Sequence, residues 1–198
     1  MKNIIGLFIG LFLMSSGYAN EVGPEQLIKN TADHVLSEIR ANSAAYRDDP
    51  NKLYSMVNEV VLLHFDFIAM TDLALGRYKN KVDASQKQLI AEEFRVLLVR
   101  TYGKALLEYN EEVIVYLPME GSEADGDVTV KIEIEQAGGF PIPLNYSLKQ
   151  SDQGWKVYDI SVDDISLVTN YRSSFARHIK KNGVEGLVKV LHERNQEE

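Results

Sequence analysis

The chain has 198 residues, of which 45% are hydrophobic and 25% charged, with a formal net charge of −8 and no cysteine. The lack of Cys excludes disulfides, thiol nucleophiles and thiolate metal sites. An acidic chain without a long basic run gives no support to nucleic-acid binding.

Met1-Lys2-Asn3 is a short positive start, Ile4 to Met14 is continuously apolar, and Gly17-Tyr18-Ala19 offers small residues for cleavage, so residues 1–19 read as a secretory signal peptide. The apolar run is too short to span a membrane, and no Cys follows it to carry a lipid anchor. Removing Lys2 takes the formal charge from −8 to −9. Residues 20–198 are then one exported, soluble, acidic domain, long enough to bury a sizeable core.

Gly23-Pro24 starts a helix striped by Leu27, Ile28, Val35, Leu36 and Ile39, and Asp49-Pro50 starts a second with Leu53, Met56, Val57, Val60 and Val61 on its buried face. Asp66 caps a short third helix that stops at Gly76. Asp83 and Gln86 form a capping-box pattern, and the helix they open is predicted to run to about Tyr109, roughly 40 Å. Period two then takes over. Val113 to Leu117 alternates, Asp127 to Glu135 puts Val128, Val130, Ile132 and Ile134 on one face, and Ile142, Leu144, Tyr146 and Leu148 follow after Gly138-Gly139. Trp155 to Val162 is a fourth strand, with Tyr158, Ile160 and Val162 predicted on one face. From Ile165 the apolar step becomes helical, through Val168, Tyr171, Phe175 and Ile179, with Asp163-Asp164 as the predicted cap. Asn182-Gly183 closes that helix and Val184 to His192 makes a last one. These elements make an α+β fold in which a four-stranded antiparallel meander packs against several helices.

Chemistry-bearing patterns are sparse. His34, His64, His178 and His192 sit in separate elements without metal-ligand spacing. No G-x-S-x-G elbow is present, and Gly138-Gly139 lacks the strand-to-helix setting of a phosphate loop. What remains is an apolar and aromatic surplus, Phe65, Phe67, Met70, Tyr78, Phe94, Tyr102, Tyr109, Tyr146, Tyr158 and Tyr171, able to face the gap between sheet and helices. A buried phenol needs a polar partner or a wet cavity mouth.

The runs Phe65-Asp66-Phe67 with Met70, Leu75-Gly76-Arg77-Tyr78, Glu93 to Tyr102, Gly139-Phe140-Pro141-Ile142-Pro143, Trp155 to Ile160 and Ile165 to Phe175 resemble the MlaC family, also called toluene-tolerance proteins. Thr71-Asp72-Leu73-Ala74 departs from the basic residues that the family often carries there. The resemblance implies an outline like that of NTF2-like proteins enclosing a deep apolar pocket. It implies a periplasmic, monomeric, non-enzymatic carrier without a cofactor. Such a carrier moves glycerophospholipid between an outer-membrane Mla lipoprotein complex and the MCE-domain subunit of an inner-membrane ABC transporter, maintaining outer-membrane lipid asymmetry. On this reading Phe65, Phe67, Met70, Phe94, Leu98, Tyr102, Ile142, Tyr146, Tyr158, Ile160, Val162 and Tyr171 form the acyl-chain wall. Asn170 and Arg172 are candidates for the mouth and the phosphate, with a salt bridge from Arg172 to Asp159 or Asp163 as the alternative. Two other functions stay open. An NTF2-like enzyme would use Asp159 beside Tyr158, provided a bulge brings them to one side. A periplasmic adaptor would have a fully packed core.

Overall fold

Capping chemistry sets the helix starts. In this computed structural model, which describes residues 22–108, 112–136 and 138–197, α1 (Pro24–Asp48) opens on Pro24 and α2 (Pro50–Val60) on Asp49, whose carboxylate accepts from the Asn51 N–H at 3.1 Å. The proposed signal peptide and Tyr109 lie outside the described residues. Asp66 accepts from the Ala69 N–H at 2.9 Å to cap α3 (Phe67–Leu75), and the chain leaves that helix through Gly76 at φ 52°. The capping box of α4 (Ala84–Gly103) forms in full: Gln86 N–H donates to Asp83 at 2.8 Å and Asp83 N–H to the Gln86 side chain at 3.2 Å.

α4 has 20 residues, about 30 Å, and so is shorter than its sequence suggests. At Gly103, a poor helix former, the chain tightens into a 3-10 segment, Lys104–Glu108.

The sheet is an antiparallel meander in the order β1 (Val113–Ser122), β2 (Asp127–Glu135), β3 (Ile142–Ser151), β4 (Gly154–Val162) and β5 (Ile165–Ser166). The fifth, two-residue strand is an addition to the four predicted. It exists because Asp163 and Asp164 make the β4–β5 turn, at φ 49° and 60°, rather than capping a helix. That cap is Ser166, whose hydroxyl accepts from the Thr169 N–H at 2.9 Å and starts α5 (Leu167–Asn170). α6 (Arg172–Glu197) follows, broken as predicted at Gly183, φ 73° and ψ −173°. None of the helices among the described residues is long and apolar enough to cross a membrane.

One register shift changes which side chains face inward. Ser147 pairs with Asp159 but Leu148 with Val157, so Tyr158 is the extra residue of a β-bulge. Simple alternation therefore fails at Tyr158. Val157, fully buried, joins Ile160 on the inner face, while the Tyr158 hydroxyl donates to Asp127 at 3.0 Å on the outer one.

The buried side chains form three clusters. The first joins α3, α4, α5 and α6 around Met70, Leu75, Ile90, Phe94, Leu97 and Phe175. The second joins α1, α2 and α4 through Val35, Leu53, Val57 and Val99. The third sets Ile28 on the sheet residues Val128, Val130, Leu148, Trp155 and Val157. Phe65 packs against both the first and the third.

Two substitutions test this assignment by urea unfolding. Phe175→Ala removes a fully buried ring from the helical cluster and should cost about 3–5 kcal/mol, while Asp66→Ala removes a cap and should cost about 1 kcal/mol. Equal losses in the two variants would contradict it.

Candidate apolar binding cavity

The three clusters leave space between them. A cavity of about 540 Å³ lies between the inner face of the sheet and α1, α2, α3, α4 and α5. For scale, an engineered apolar cavity of roughly 150 Å³ takes up benzene, so this one has room for roughly twenty carbon atoms by the same measure.

Its walls come from every layer. α1 contributes Ile28, Val35 and Leu36, and the end of α2 and the turn after it contribute Val57, Val61, Leu62 and His64. Met70 and Phe67 enter from α3, Leu98, Val99 and Tyr102 from α4, and Leu167 and Val168 from α5. The sheet supplies Ile114, Ile132, Ile134, Ile142, Leu144, Tyr146, Val157 and Ile160.

Of the residues singled out in the sequence, Phe65, Phe67, Met70, Leu98, Tyr102, Ile142, Tyr146 and Ile160 line this cavity. Four others do not. Phe94 is fully buried in the helical cluster, edge-on to Tyr171 and to Phe175 with ring centroids 5.1 Å apart in both pairs. Tyr171 belongs to that aromatic group and is not part of the wall, though its hydroxyl lies beside that of the lining residue Tyr102. Tyr158 is turned outward by the bulge. Val162 pairs with the lining residue Leu144 but is not itself part of the wall.

Asn170 is exposed at the end of α5, and neither it nor Arg172 lines the cavity. Arg172 Nε donates to the Leu73 carbonyl at 3.0 Å, satisfying an open carbonyl at the C-terminus of α3. Its stem lies over Gly76, where an added Cβ would meet Arg172 Cδ at 3.0 Å. The salt bridge to Asp159 or Asp163 does not form. Asp159 instead accepts from the Ile160 and Val168 N–H groups at 2.8 and 3.4 Å. The bulge needed to bring Tyr158 and Asp159 together is present, yet neither residue faces the cavity, so they make no acid–base pair there. In the departure segment after Met70, Thr71 is buried and Asp72 pairs with Lys87 at 2.6 Å.

The residues that sequence reasoning missed include those of α1 and the α2 exit, together with sheet residues such as Ile132, Leu144 and Val157. Their apolar stripes are legible, but a stripe facing a void and a stripe facing protein have the same period.

The cavity runs along β3. Gln136 and Ile142 line it at the β2–β3 hairpin end, and Tyr102, Ala105, Glu108 and Glu112 line it from the end of α4 and the chain that leads on to β1. Gln136, Glu108 and Ala105 are exposed and Tyr102 is 36% exposed, so this end is the mouth. Phe140, 93% exposed, stands on the same hairpin. At the other end the cavity meets Phe65 and Phe67.

Electrostatically the interior favours neutral groups. Burial, and then the Tyr171 hydroxyl, push Tyr102 up to about 12. Burial, and then Tyr116, push Tyr146 up as well. Burial and the Lys156 ammonium push His64 down, which favours its uncharged imidazole. Among the described lining residues none is Lys or Arg, and among the described residues no group of three or more His, Cys, Asp or Glu is arranged to hold a metal. The wall can bury hydrocarbon and offers a few neutral donors.

Comparison with known proteins agrees with this architecture. The chain is 33% identical to a phospholipid-binding protein from Ralstonia solanacearum, solved in complex with a phospholipid, with a TM-score of 0.79 over 87% of this chain and 97% of that one. It is 27% identical over 162 residues to toluene tolerance protein ttg2D of Pseudomonas putida, covering 81% of this chain and 74% of the relative. It is 25% identical over 196 residues to the intermembrane phospholipid transport system binding protein MlaC of Haemophilus influenzae, covering 96% and 90%. With residues 29–193 matching the family described as MlaC protein, the chain belongs to that family.

Proposed function

We propose that this protein is a carrier that holds a phospholipid by its acyl chains in the cavity between sheet and helices. The observation that carries the reading is the wall itself, about 540 Å³ of space bounded mainly by aliphatic and aromatic side chains, with exposed lining residues at Gln136, Ala105 and Glu108. Two acyl chains hold about 30 methylenes, and at about 0.8 kcal/mol each their exposure to water costs roughly 24 kcal/mol. A free lipid therefore does not cross an aqueous compartment at a useful rate. A wall of this kind restores most of that burial, and because dispersion and hydrophobic contact are non-directional it discriminates little among chains of the same length.

The head group sits at the mouth beside Tyr102, in water, since among the described lining residues there is no Lys or Arg to grip a phosphate. The relatives whose names specify phospholipid binding or intermembrane phospholipid transport support the ligand class. In this proposal residues 1–19 are removed on export and the mature protein works in the periplasm as a monomer. It collects glycerophospholipid from one membrane complex and delivers it to another, an outer-membrane Mla lipoprotein complex on one side and the MCE-domain subunit of an ABC transporter on the other. The role is binding and transfer rather than catalysis.

Mass spectrometry of protein purified from cells under native conditions should find phospholipid bound at near-stoichiometric amounts. Protein that emerges with no lipid would remove the carrier reading. A pair of variants separates wall from scaffold. Ile160→Glu places a carboxylate in the apolar wall and should abolish lipid occupancy while the circular dichroism spectrum stays native. Arg172→Ala should lower the melting temperature yet leave lipid occupancy unchanged, because its partner is the Leu73 carbonyl.

A further inference from the structure

We propose that the stacked pair Phe65 and Phe67 is the end stop that sets how long an acyl chain the cavity accepts. This rests on the carrier reading and adds a specificity element to it. Both rings line the cavity, and the same two rings also line a second, separate groove of about 780 Å³ on their far side. The groove is built from Leu63 and Ile68, from the α4 face that carries Glu92 and Arg95, and from the β3–β4 turn at Ser151 to Gln153. The mouth lies at the Ile142 end of β3 and this groove at the Ser151 end. A chain entering at the mouth and following β3 is therefore aimed at the two rings.

The two rings are the residues that line both spaces. Their centroids are 5.9 Å apart with planes 20° from parallel. The backbone beneath them is pinned. Phe65 bridges Val157 in parallel, the Asp66 N–H donates to the Val157 carbonyl at 2.9 Å, and Lys156 Nζ donates to the Leu63 carbonyl at 2.7 Å. A pinned backbone carrying apolar rings makes a fixed wall whose position depends on side-chain size. The space behind it is wet, with polar and charged side chains along its sides and with Leu63 and Ile68 partly exposed, at 51% and 39%. A methylene pushed past the rings thus loses the burial gained by those before it. Each additional buried methylene raises affinity roughly fourfold, so affinity should climb with chain length until the tail meets the rings and then stop climbing or fall.

The test is a competition experiment read by native mass spectrometry. Delipidated protein is offered an equimolar ladder of phosphatidylcholines from dilauroyl to dierucoyl. The wild type should favour an intermediate length and exclude the longest. Phe65→Ala and Phe67→Ala should move the preferred length upward and admit the dierucoyl lipid, with its share of bound lipid rising by on the order of tenfold, the gain from one or two further buried methylenes. Phe67→Leu keeps an apolar side chain and guards against loss of folding, and it should shift the preference in the same direction by less. A phosphatidylcholine with pyrene at its chain end, too bulky to pass the rings, should be rejected by the wild type and accepted by Phe67→Ala. Folded variants that bind lipid with the wild-type length profile would overturn the end stop while leaving the carrier reading intact. A wild type that binds no member of the ladder would overturn both.

Discussion

An apolar surface that its own protein does not cover is the constraint around which this molecule is built. By the cost of cavities in packed cores, about 24 cal/mol per Å³, an empty void of 540 Å³ would carry a penalty of up to about 13 kcal/mol. That is as large as the whole net stability of an ordinary domain. The open mouth admits water and lowers the penalty, but water gains little at a wall of Ile, Leu, Val and Phe. Hydrocarbon relieves it. Stability and ligand binding are therefore coupled here, since a ligand that binds only the folded state adds to its stability by mass action.

Keeping such a gap open requires that sheet and helices be joined firmly somewhere else. One joint is at the Phe65 end, where the chain between α2 and α3 is bonded to β4 and where Phe65 belongs to both the helical and the sheet cluster, and another is Ile28 of α1 packed on the sheet. Around it the helices brace one another. Arg172 ties the start of α6 to the end of α3, and Asn195 donates to the backbone carbonyl and the carboxylate of Glu93 at 2.9 and 2.6 Å. The His192 imidazole meets the same carboxylate at 2.8 Å. Near the mouth, the Arg47 guanidinium donates to the Leu107 carbonyl, which ties the end of α1 to the 3-10 segment after α4.

The neutral character of the interior follows from the same geometry. Phenols and an imidazole facing a low-dielectric space hold their uncharged forms, as the directions at Tyr102, Tyr146 and His64 indicate. Each can serve as a hydrogen-bond partner for an ester or glycerol oxygen without the desolvation cost of a full charge. An arginine in the wall would have added a strong phosphate contact together with that cost, and the one Arg singled out for such a role serves as a helix brace instead.

Local chemistry was readable in one dimension. The caps at Asp49, Asp66 and Asp83, the stop at Gly76, the break at Gly183 and the inward face of β2 all depend on residues a few positions apart, and all stand where the sequence places them. Motif resemblance carried the family in the same way. Tertiary packing decided the rest. Tyr158 left the inner face because of a bulge that depends on the register of β3, and Phe94 and Tyr171 turned into a helical cluster because α6 lies across α4. Arg172 found a carbonyl 99 residues away in the chain. Whether an apolar stripe meets another stripe or an empty space is set by the separation of layers, which no periodicity records, because hydrophobic burial has magnitude but no direction.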